Sequence, residues 1–519
     1  MSVKITYATM SADNQELNEA FESAVEKARM SLGQTHGVIV NGEHRTDREM
    51  HAEVSPIDSE IVIGHYAQGT KQDVDDAVAA ARAFQPEWEA WGWERRRDLM
   101  LRAADIMEDR IYDIAARMSF EIGKNRLESL GDVAETIEFF RYYAKQITQH
   151  EGFVTRLGSQ SGEENLSVLR PWGVWAVVSP FNFPMALAAG PSIGALLTGN
   201  TVVLKPSNAG ALMAFDFYSV MQEAGLPAGA LHIISGRGSV VGDHLTHHEG
   251  VDGITFTGSY EVGMEIYRTA NEKRPKPVVA EMGGKNPVIV TASADIDVAV
   301  EGVTRAAFGL SGQKCSATSR VYVEDDVYDE FVDKLVKRAS EIKVGDPTKL
   351  ENWMGPVIDP AAVARYQRAI DEVRASGGEV LYGGSVLTDG DMARGNFVEP
   401  AIVTAPQDSW IWREELFLPF VSVAPVSGLD EGLERANDTI FGLTAGLYSG
   451  DEEEIEKWFD EIQAGTTYVN RAAGATTGAW PDIQSFGGWK GSGTSGTGGG
   501  GPWYLRQYLR EQSRTLFRP

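Results

Sequence analysis

The chain is poor in cysteine, with a single one, Cys315, among its 519 residues. One thiol cannot form an intramolecular disulfide or a metal site built from cysteines, so a chemical role for it is that of a nucleophile. An isolated cysteine is more often an inert, buried packing residue. The segments around Cys315 therefore decide between these two interpretations.

Long apolar runs are also scarce. The longest uncharged stretch, 171–204, could cross a bilayer by length, but Pro180, Pro184 and Pro191 would leave backbone groups unpaired in lipid. We therefore expect buried strands and turns there, and no membrane partner. The first residues lack a basic segment followed by an apolar one, so no secretory signal is visible and a cytoplasmic location is expected.

Positive charge is the third scarcity, because 74 acidic residues face 47 basic ones and the formal net charge is −27. Such a surface repels phosphate backbones, so no nucleic acid partner is expected. Self-repulsion also destabilises a compact fold at low ionic strength, and salt screens it. Two interpretations stay open: a protein from a salt-rich cytosol, and an ordinary acidic protein.

Hydrophobic periodicity predicts an α/β protein. Between 73 and 147 apolar residues recur every three or four positions, which indicates helices. Short apolar runs then alternate with helical patterns, as in parallel sheets. In the first alternation, strands are expected at 174–178, 201–204, 231–234 and 253–256, and a helix at 209–224. In the second, strands are expected at 287–290, 320–323, 397–403, 420–426 and 465–469, and helices at 295–308, 326–342, 360–376, 428–437 and 452–462.

Two α/β domains joined near Gly283-Gly284 explain this layout, with Glu281 and Cys315 near the crevice between them. The glycine-rich segment 491–501 has the composition of a flexible linker. Aromatic and apolar residues follow it, however. We therefore expect a mobile or closely packed loop that leads to a docked terminal strand.

Six motifs occur in a fixed order along the chain: SPFNFP at 179–184, LKPS at 204–207, FTGS at 256–259, EMGGK at 281–285, GQKC at 312–315 and EELF at 414–417. Together they resemble the motifs of the aldehyde dehydrogenase superfamily. The resemblance implies that superfamily's α/β fold, with three parts. They are a Rossmann-like cofactor domain (30–149 and 174–283), a catalytic domain (284–480) and a small β arm for homo-oligomerisation (150–173 and 496–519).

The resemblance also implies three catalytic residues. Cys315 would add to an aldehyde, and the Asn182 side chain with the Cys315 backbone N–H would stabilise the oxyanion. Glu281 would be the base that lets water hydrolyse the resulting thioester. Outside the motifs, Asn182 would be a turn residue and Glu281 a solvated or ion-paired acid. The neighbouring Gly283-Gly284 is expected to let the backbone approach the substrate closely.

NAD is the implied cofactor. Gly258 and Ser259 follow a strand and open a helix, whose N-terminus can hold a pyrophosphate. By resemblance, Lys205 would bind the adenine ribose, Glu415 the nicotinamide ribose, and Phe417 would pack near the nicotinamide. The other implied cofactor-binding residues are Ser179, Pro180, Phe181, Ser207 and Asn208.

Two positions depart from the superfamily pattern. Many NAD-preferring members have glutamate where this chain has Asn208, and the glutamate repels a 2′-phosphate. Its absence predicts that NADP can be accepted too. Leu418 stands where the superfamily usually has glycine, which predicts a slightly reshaped nicotinamide pocket.

Three details point to a substrate: Lys314-Cys315-Ser316, the loop 477–479 before 484–488, and the tail 501–505. They resemble the branch that oxidises L-glutamate 5-semialdehyde (1-pyrroline-5-carboxylate) to L-glutamate in proline degradation. In that branch a serine hydroxyl and loop N–H groups hold the substrate α-carboxylate, and a phenylalanine lines its aliphatic part. The matching residues here are Ser316, Gly478, Ala479 and Phe486.

Several alternatives remain. The segment 480–482 departs from the usual loop sequence of that branch, so a different semialdehyde or an aromatic or aliphatic aldehyde is the alternative substrate. A binding protein without activity is disfavoured, because nucleophile, base and oxyanion donor are all present. No metal site is predicted, since His247 and His248 have no cysteine or H-E-x-x-H partner.

Overall fold

The structure is a computed structural model that describes residues 14–472 and 480–518. Its elements alternate as the hydrophobic pattern predicts. The α-helices in the described residues are α1 (Gln15–Ser31), α2 (Lys71–Ala90), α3 (Trp93–Asp109), α4 (Ile111–Ile122), α5 (Arg126–Gln149), α6 (Ala186–Leu197), α7 (Ala211–Glu223), α8 (Asp243–His247), α9 (Tyr260–Thr269), α10 (Ile296–Phe308), α11 (Tyr328–Ser340), α12 (Pro360–Ala375), α13 (Leu429–Asn437) and α14 (Glu452–Glu461).

The strands in the same residues are β1 (Gln34–His36), β2 (Val38–Val40), β3 (Glu43–Arg45), β4 (Met50–Val54), β5 (Val62–Ala67), β6 (Val154–Arg156), β7 (Glu163–Pro171), β8 (Val174–Val178), β9 (Thr201–Lys205), β10 (Leu231–Ile233), β11 (Gly253–Thr257), β12 (Val278–Glu281), β13 (Asn286–Val290), β14 (Thr318–Glu324), β15 (Glu379–Tyr382), β16 (Val386–Leu387), β17 (Phe397–Val398), β18 (Ala401–Thr404), β19 (Phe420–Val426), β20 (Phe441–Gly442), β21 (Thr444–Tyr448), β22 (Thr466–Val469), β23 (Trp489–Lys490) and β24 (Leu509–Phe517).

Two seven-stranded sheets form the framework. The first has the order β12-β11-β8-β9-β10-β2-β3, and its strands from β12 to β10 are parallel. The second has the order β15-β18-β19-β14-β13-β21-β22, and only the edge strand β15 is antiparallel. Each parallel strand is an almost continuous buried apolar run, as expected for sheets covered on both faces.

A three-stranded antiparallel sheet, β24-β7-β6, forms the arm. All nine residues of β24 pair with β7, from Leu509 opposite Pro171 to Phe517 opposite Glu163. The side chains of β24 are largely exposed, and Phe517 is 61% exposed. The three sheets fall within the residue ranges expected for the cofactor domain, catalytic domain and arm, whereas the domain limits themselves stay a prediction.

Local sequence signals explain where several helices begin. Asp295, Asp359 and Asp451 each precede a helix and accept hydrogen bonds from N–H groups of its first turn. Such caps satisfy donors that have no partner inside the helix. The ends of α10, α12 and α14 lie within a residue or two of the ends that the periodicity predicts.

The stretch 171–204 corrects one expectation, because it contains a helix as well as strands. α6 is buried along almost its whole length and includes Pro191. A helix that is apolar on every side shows no amphipathic period, which is why strands and turns were expected instead. Among the helices of the described residues, none combines the length and apolar character needed to cross a membrane.

The strand expected at 397–403 is two strands. β17 pairs with β16, and β18 joins the second sheet beside β19. Pro400 lies between them and has no N–H to donate to a ladder, so the pairing breaks there.

The glycine-rich segment 491–501 is a closely packed loop, which is the second of the two alternatives expected for it. The Met282 N–H donates to the Ser492 carbonyl (2.8 Å), and the Thr494 N–H donates to the Ala280 carbonyl (3.1 Å). The Ser492 hydroxyl donates to the Gly283 carbonyl (2.7 Å). These bonds close the free edge of β12, next to Glu281.

Candidate active site

The carboxyl ends of four parallel strands meet at one edge of the first sheet. Val178 pairs with Lys205 and with Phe256, and Thr257 pairs with Glu281. β8 and β11 are neighbours whose chains continue in opposite directions across the sheet. In open α/β sheets such a point creates a crevice that binds ligands. The predicted residues of the segments after β8, β9 and β11 therefore share one location.

Ser179, Pro180 and Phe181 follow β8 directly. The Ser179 N–H donates to the Lys205 carbonyl (3.1 Å), which ties this segment to β9. The Ser179 hydroxyl is buried and has no hydrogen-bond partner in the described part of the chain. The Phe181 ring meets Phe417 edge to face, with centroids 5.8 Å apart. This contact joins the carboxyl edge of the first sheet to the segment that precedes β19.

Lys205 ends β9 and is only 7% exposed. Burial lowers the pKa of Lys205 to about 8, and no carboxylate of the described residues raises it. Ser207 and Asn208 follow and are partly exposed. A buried amine and a buried hydroxyl without partners fit a polar ligand, because unpaired buried polar groups are costly.

Gly258 and Ser259 connect β11 to α9. The Gly258 N–H donates to the Glu281 carbonyl (3.1 Å), and the Ser259 hydroxyl accepts from the Val262 N–H (3.5 Å) at the start of α9. Ser259 is exposed. The N-terminus of α9 is therefore open at the crevice, in the position suited to a phosphate group.

The second sheet presents the opposite ends of its strands to the same cleft. Glu415 and Phe417 precede β19, and Cys315 and Ser316 precede β14. The Gly284 N–H donates to the Glu415 carboxylate (3.0 Å). Burial raises the pKa of Glu415 to about 7. Leu418 is buried in the core beside this segment.

The two glycines after Glu281 serve the protein's own groups. A side chain at Gly283 would overlap the Glu415 carboxyl group, and one at Gly284 would lie 2.5 Å from the Cys315 carbonyl oxygen. We expected these glycines to let the backbone approach the substrate. In the structure, the Glu415 carboxyl group and the Cys315 turn fill the space beside them instead. Asn286 holds the same turn by donating to the carbonyls of Cys315 (2.7 Å) and Ala317 (2.9 Å).

Cys315 and Glu281 are both difficult to ionise. Burial raises the pKa of the Cys315 thiol well above its usual value, and the nearby Glu415 and Glu281 raise it further. Burial raises the pKa of Glu281 to about 8, opposed by a hydrogen bond from the Gly488 N–H. The Glu281 Oε2 atom is buried and has no hydrogen-bond partner in the described ranges. A buried carboxyl with a pKa near neutrality and a free oxygen is suited to general-base work.

One largely apolar pocket brings together four of the predicted residues: Cys315, Ser316, Glu281 and Phe486. Phe486 is held by a pair of backbone hydrogen bonds with Gly499. Asn182 is buried beside Phe183, which lines the pocket, but Asn182 itself is not among the lining residues. Gly478 and Ala479 lie outside the described residues.

Sequence reasoning missed several polar lining residues, among them Glu135 on α5 and Tyr504 after the glycine-rich loop. The pattern over 73–147 predicts helices but not which acidic side chain of α5 faces a pocket. Tyr504 belongs to the aromatic segment that was expected to dock, and it is 4% exposed. Its burial was thus predictable, whereas its place beside Glu281 was not.

Asp75, His244 and His248 lie away from the pocket, with potential ligand atoms within 4.8 Å of one another. The Gly250 N–H donates to His248 Nδ1 (2.9 Å), so neutral His248 carries its proton on Nε2, which faces Asp75 at 3.3 Å. That proton occupies the position a metal would need. The group is a hydrogen-bonded cluster, and the absence of a metal site stays a prediction.

Two α/β sheets flank a cleft that holds a thiol and a carboxyl group, an arrangement suited to an α/β enzyme with a nucleophilic cysteine. A model of the aldehyde dehydrogenase family matches residues 43–513, and the chain belongs to this family. This confirms the resemblance and the fold class inferred from the six motifs.

Within the family, the chain is similar to proteins named 1-pyrroline-5-carboxylate dehydrogenase. One from Geobacillus sp. (strain WCH70) is 38% identical over 504 residues, which are 96% of each chain. A second, from Halalkalibacterium halodurans, is 37% identical over 506 residues, again 96% of each. These relatives confirm the branch of the superfamily to which the substrate details point.

Solved structures are also similar to this chain. The 1-pyrroline-5-carboxylate dehydrogenase from Thermus with bound NAD has a TM-score of 0.94 and 33% identity, with both chains fully covered. Proline utilization A from Bdellovibrio bacteriovorus has a TM-score of 0.92 and 36% identity over 96% of this chain and 52% of its own.

Proposed function

We propose that the protein oxidises L-glutamate 5-semialdehyde to L-glutamate with NAD, through a thiohemiacetal and a thioester on Cys315. The observation that carries this proposal is the shared pocket of Cys315, Glu281 and Ser316. The similarity to proteins named 1-pyrroline-5-carboxylate dehydrogenase supports the substrate.

The substrate has an α-carboxylate, an α-ammonium group, a short aliphatic chain and an aldehyde. The Ser316 hydroxyl, with the N–H groups of Gly478 and Ala479, would bind the carboxylate. Phe486 would line the aliphatic chain. The Glu135 carboxylate in the same pocket would face the ammonium group. These groups would set the aldehyde carbon beside Cys315.

Cys315 then adds to the aldehyde carbon as a thiolate, after its proton passes to solvent water. The Asn182 amide and the Cys315 N–H are the proposed donors to the oxyanion. After oxidation the carbon is a thioester, and ionised Glu281 removes a proton from the water that attacks it. The products are L-glutamate and the free thiol.

The residues at the crevice fit NAD. Lys205 and the α9 N-terminus with Gly258 and Ser259 would bind the adenosine and pyrophosphate parts, with Ser179, Pro180, Phe181 and Ser207 around them. Glu415 and Phe417 would place the nicotinamide. When bound, the nicotinamide supplies the acceptor for the hydrogen that leaves the substrate carbon. Because Asn208 lacks a negative charge, NADP is proposed as a weaker alternative.

A panel of aldehydes with NAD reduction as the signal tests the proposal. L-Glutamate 5-semialdehyde should have the highest kcat/KM, and Ser316→Ala should raise its KM more than that of propionaldehyde, which has no carboxylate. Equal kcat/KM values for the semialdehyde and for simple aliphatic or aromatic aldehydes would reject the substrate. No NAD reduction with any aldehyde would reject the activity.

We also propose a homo-oligomer. β24 is the outer strand of the arm and leaves backbone groups and Phe517 exposed, which favours a partner copy. Sedimentation velocity of the full chain and of a chain ending before Leu509 tests this. A monomeric full chain would contradict it. The cytoplasmic location and the absence of nucleic acid partners stay predictions.

A further inference from the structure

The turn that carries Cys315 has a strained backbone. Leu310 and Ser311 both adopt left-handed conformations, with φ of 50° and 53°. For residues with side chains, each such conformation costs roughly 1–3 kcal/mol and persists only where surrounding contacts impose it. Contacts from outside the turn must therefore hold it in shape.

One of these contacts comes from α5, across the cleft from the second sheet. The Leu310 N–H donates to Glu128 Oε1 (2.7 Å). A second contact comes from the Ser311 hydroxyl, which donates to the Gly355 carbonyl (2.8 Å). Glu128 is thus the acceptor for a strained N–H group five residues before the nucleophile.

The same carboxylate is the counter-charge of Lys314, the residue next to Cys315. Lys314 Nζ lies 3.7 Å from Glu128 Oε1, and the two side chains are 8% and 18% exposed. Burial lowers the pKa of Lys314, Glu128 raises it, and the nearby Lys124 lowers it again. Lys124 already pairs with Asp132 at 2.8 Å, with both side chains fully buried. Without Glu128, no described carboxylate would lie within 4.0 Å of Lys314.

The charge on Lys314 matters because the other groups facing the thiol are acidic. Glu281 at the end of β12 and Glu415 before β19 both raise the pKa of Cys315, and Glu135 lines the same pocket. A neighbouring ammonium opposes them, since an opposite charge favours the ionised thiol.

We propose that Glu128 is a positioning residue for the nucleophile: it holds the turn and keeps Lys314 charged, and the Lys314 ammonium in turn favours the Cys315 thiolate. This inference rests on the proposed role of Cys315. Glu128 acts through Lys314, because its own negative charge would disfavour the thiolate.

The test is the rate at which iodoacetamide alkylates Cys315, measured against pH without aldehyde or cofactor. Glu128→Gln keeps an oxygen for the Leu310 N–H and removes only the charge. We expect its rate curve to shift to higher pH, with about tenfold slower alkylation at neutral pH. Lys314→Met should give a similar shift, and the double variant should shift no further than Lys314→Met alone. Glu138→Gln, the same change on α5 away from the turn, should leave the curve in place.

A shift of Glu128→Gln to lower pH would mean that Glu128 acts on the thiol directly and would overturn the inference, as would an unchanged curve. Circular dichroism checks that each variant is folded. Should Glu128→Gln not fold, an unshifted curve for Lys314→Met would overturn the inference by itself. The proposed function fails separately if alkylation of Cys315 in the wild-type chain leaves aldehyde oxidation intact.

Discussion

Replacing Glu281 by glutamine should separate the two halves of the reaction. Glutamine has nearly the same shape but cannot accept a proton, so the first NADH should form in a burst and the thioester should then accumulate on Cys315. Glu281 and Glu135 are the carboxylates among the described lining residues, and Glu135 is proposed to face the substrate ammonium. No other base is therefore proposed beside the thioester.

A general base contributes roughly 10²–10⁴-fold to such a step. That loss corresponds to about 3–5 kcal/mol, at 1.36 kcal/mol for each factor of ten. The pH dependence gives a second signature. Burial raises the pKa of Glu281 to about 8, and the base must be ionised to act. Wild-type turnover should thus rise with pH through this region, and the variant should lose that rise.

Stopped-flow absorbance of NADH measures both quantities, the burst amplitude from the first turnover and the later steady rate. Glu301→Gln is the matched control, because Glu301 pairs with Arg305 and Arg338 at the surface. Its kinetics should equal those of the wild type. Wild-type steady turnover in Glu281→Gln, or slow turnover without any burst, would refute the reasoning.

Four further predictions follow from the site and the composition. Cys315→Ala should abolish aldehyde-dependent NADH formation, and measurable turnover would remove the proposed nucleophile. Gly284→Ala should displace the Cys315 turn and lower kcat by about 10²-fold, since an error of 1 Å can cost that much, and an unchanged kcat would contradict the close approach. Asn208→Glu should lower kcat/KM for NADP about fivefold or more, from roughly 1 kcal/mol of repulsion in water at 4 Å, and no change would place Asn208 away from the 2′-phosphate. If the net charge of −27 reflects a salt-rich cytosol, Tm should rise between dilute buffer and molar KCl; an unchanged or falling Tm would reject that interpretation.

The strands of the two parallel sheets were predictable from the sequence. They are buried on both faces and therefore occur in the sequence as short apolar runs. β8 and β19 begin and end at the residues predicted for them. The same physics explains the failure at α6, since a fully buried helix is also an apolar run. Length and flanking glycines could not separate the two cases there.

The site was predictable only through its motifs. Glu281 and Cys315 lie in separate segments of the chain. Neither segment by itself predicts that the carboxyl edge of the first sheet faces the amino edge of the second. Glu128 and Glu135 were missed for a related reason. Both are acidic residues of α5 in a chain with 74 acidic residues, and only the fold shows that they face the nucleophile turn and the pocket.

The charges in the cleft constrain how the reaction can proceed. Cys315, Glu281 and Glu415 all become negative on ionisation, and burial raises the pKa of each. Ionising two such neighbours together costs more than ionising one. A neutral Glu281 carboxyl group during the addition step avoids this cost, because only the thiolate of the two is then negative. Glu281 must lose its proton before it can accept one from the water that attacks the thioester. Its ionisation should therefore govern the pH dependence of thioester hydrolysis, the half-reaction that Glu281→Gln slows.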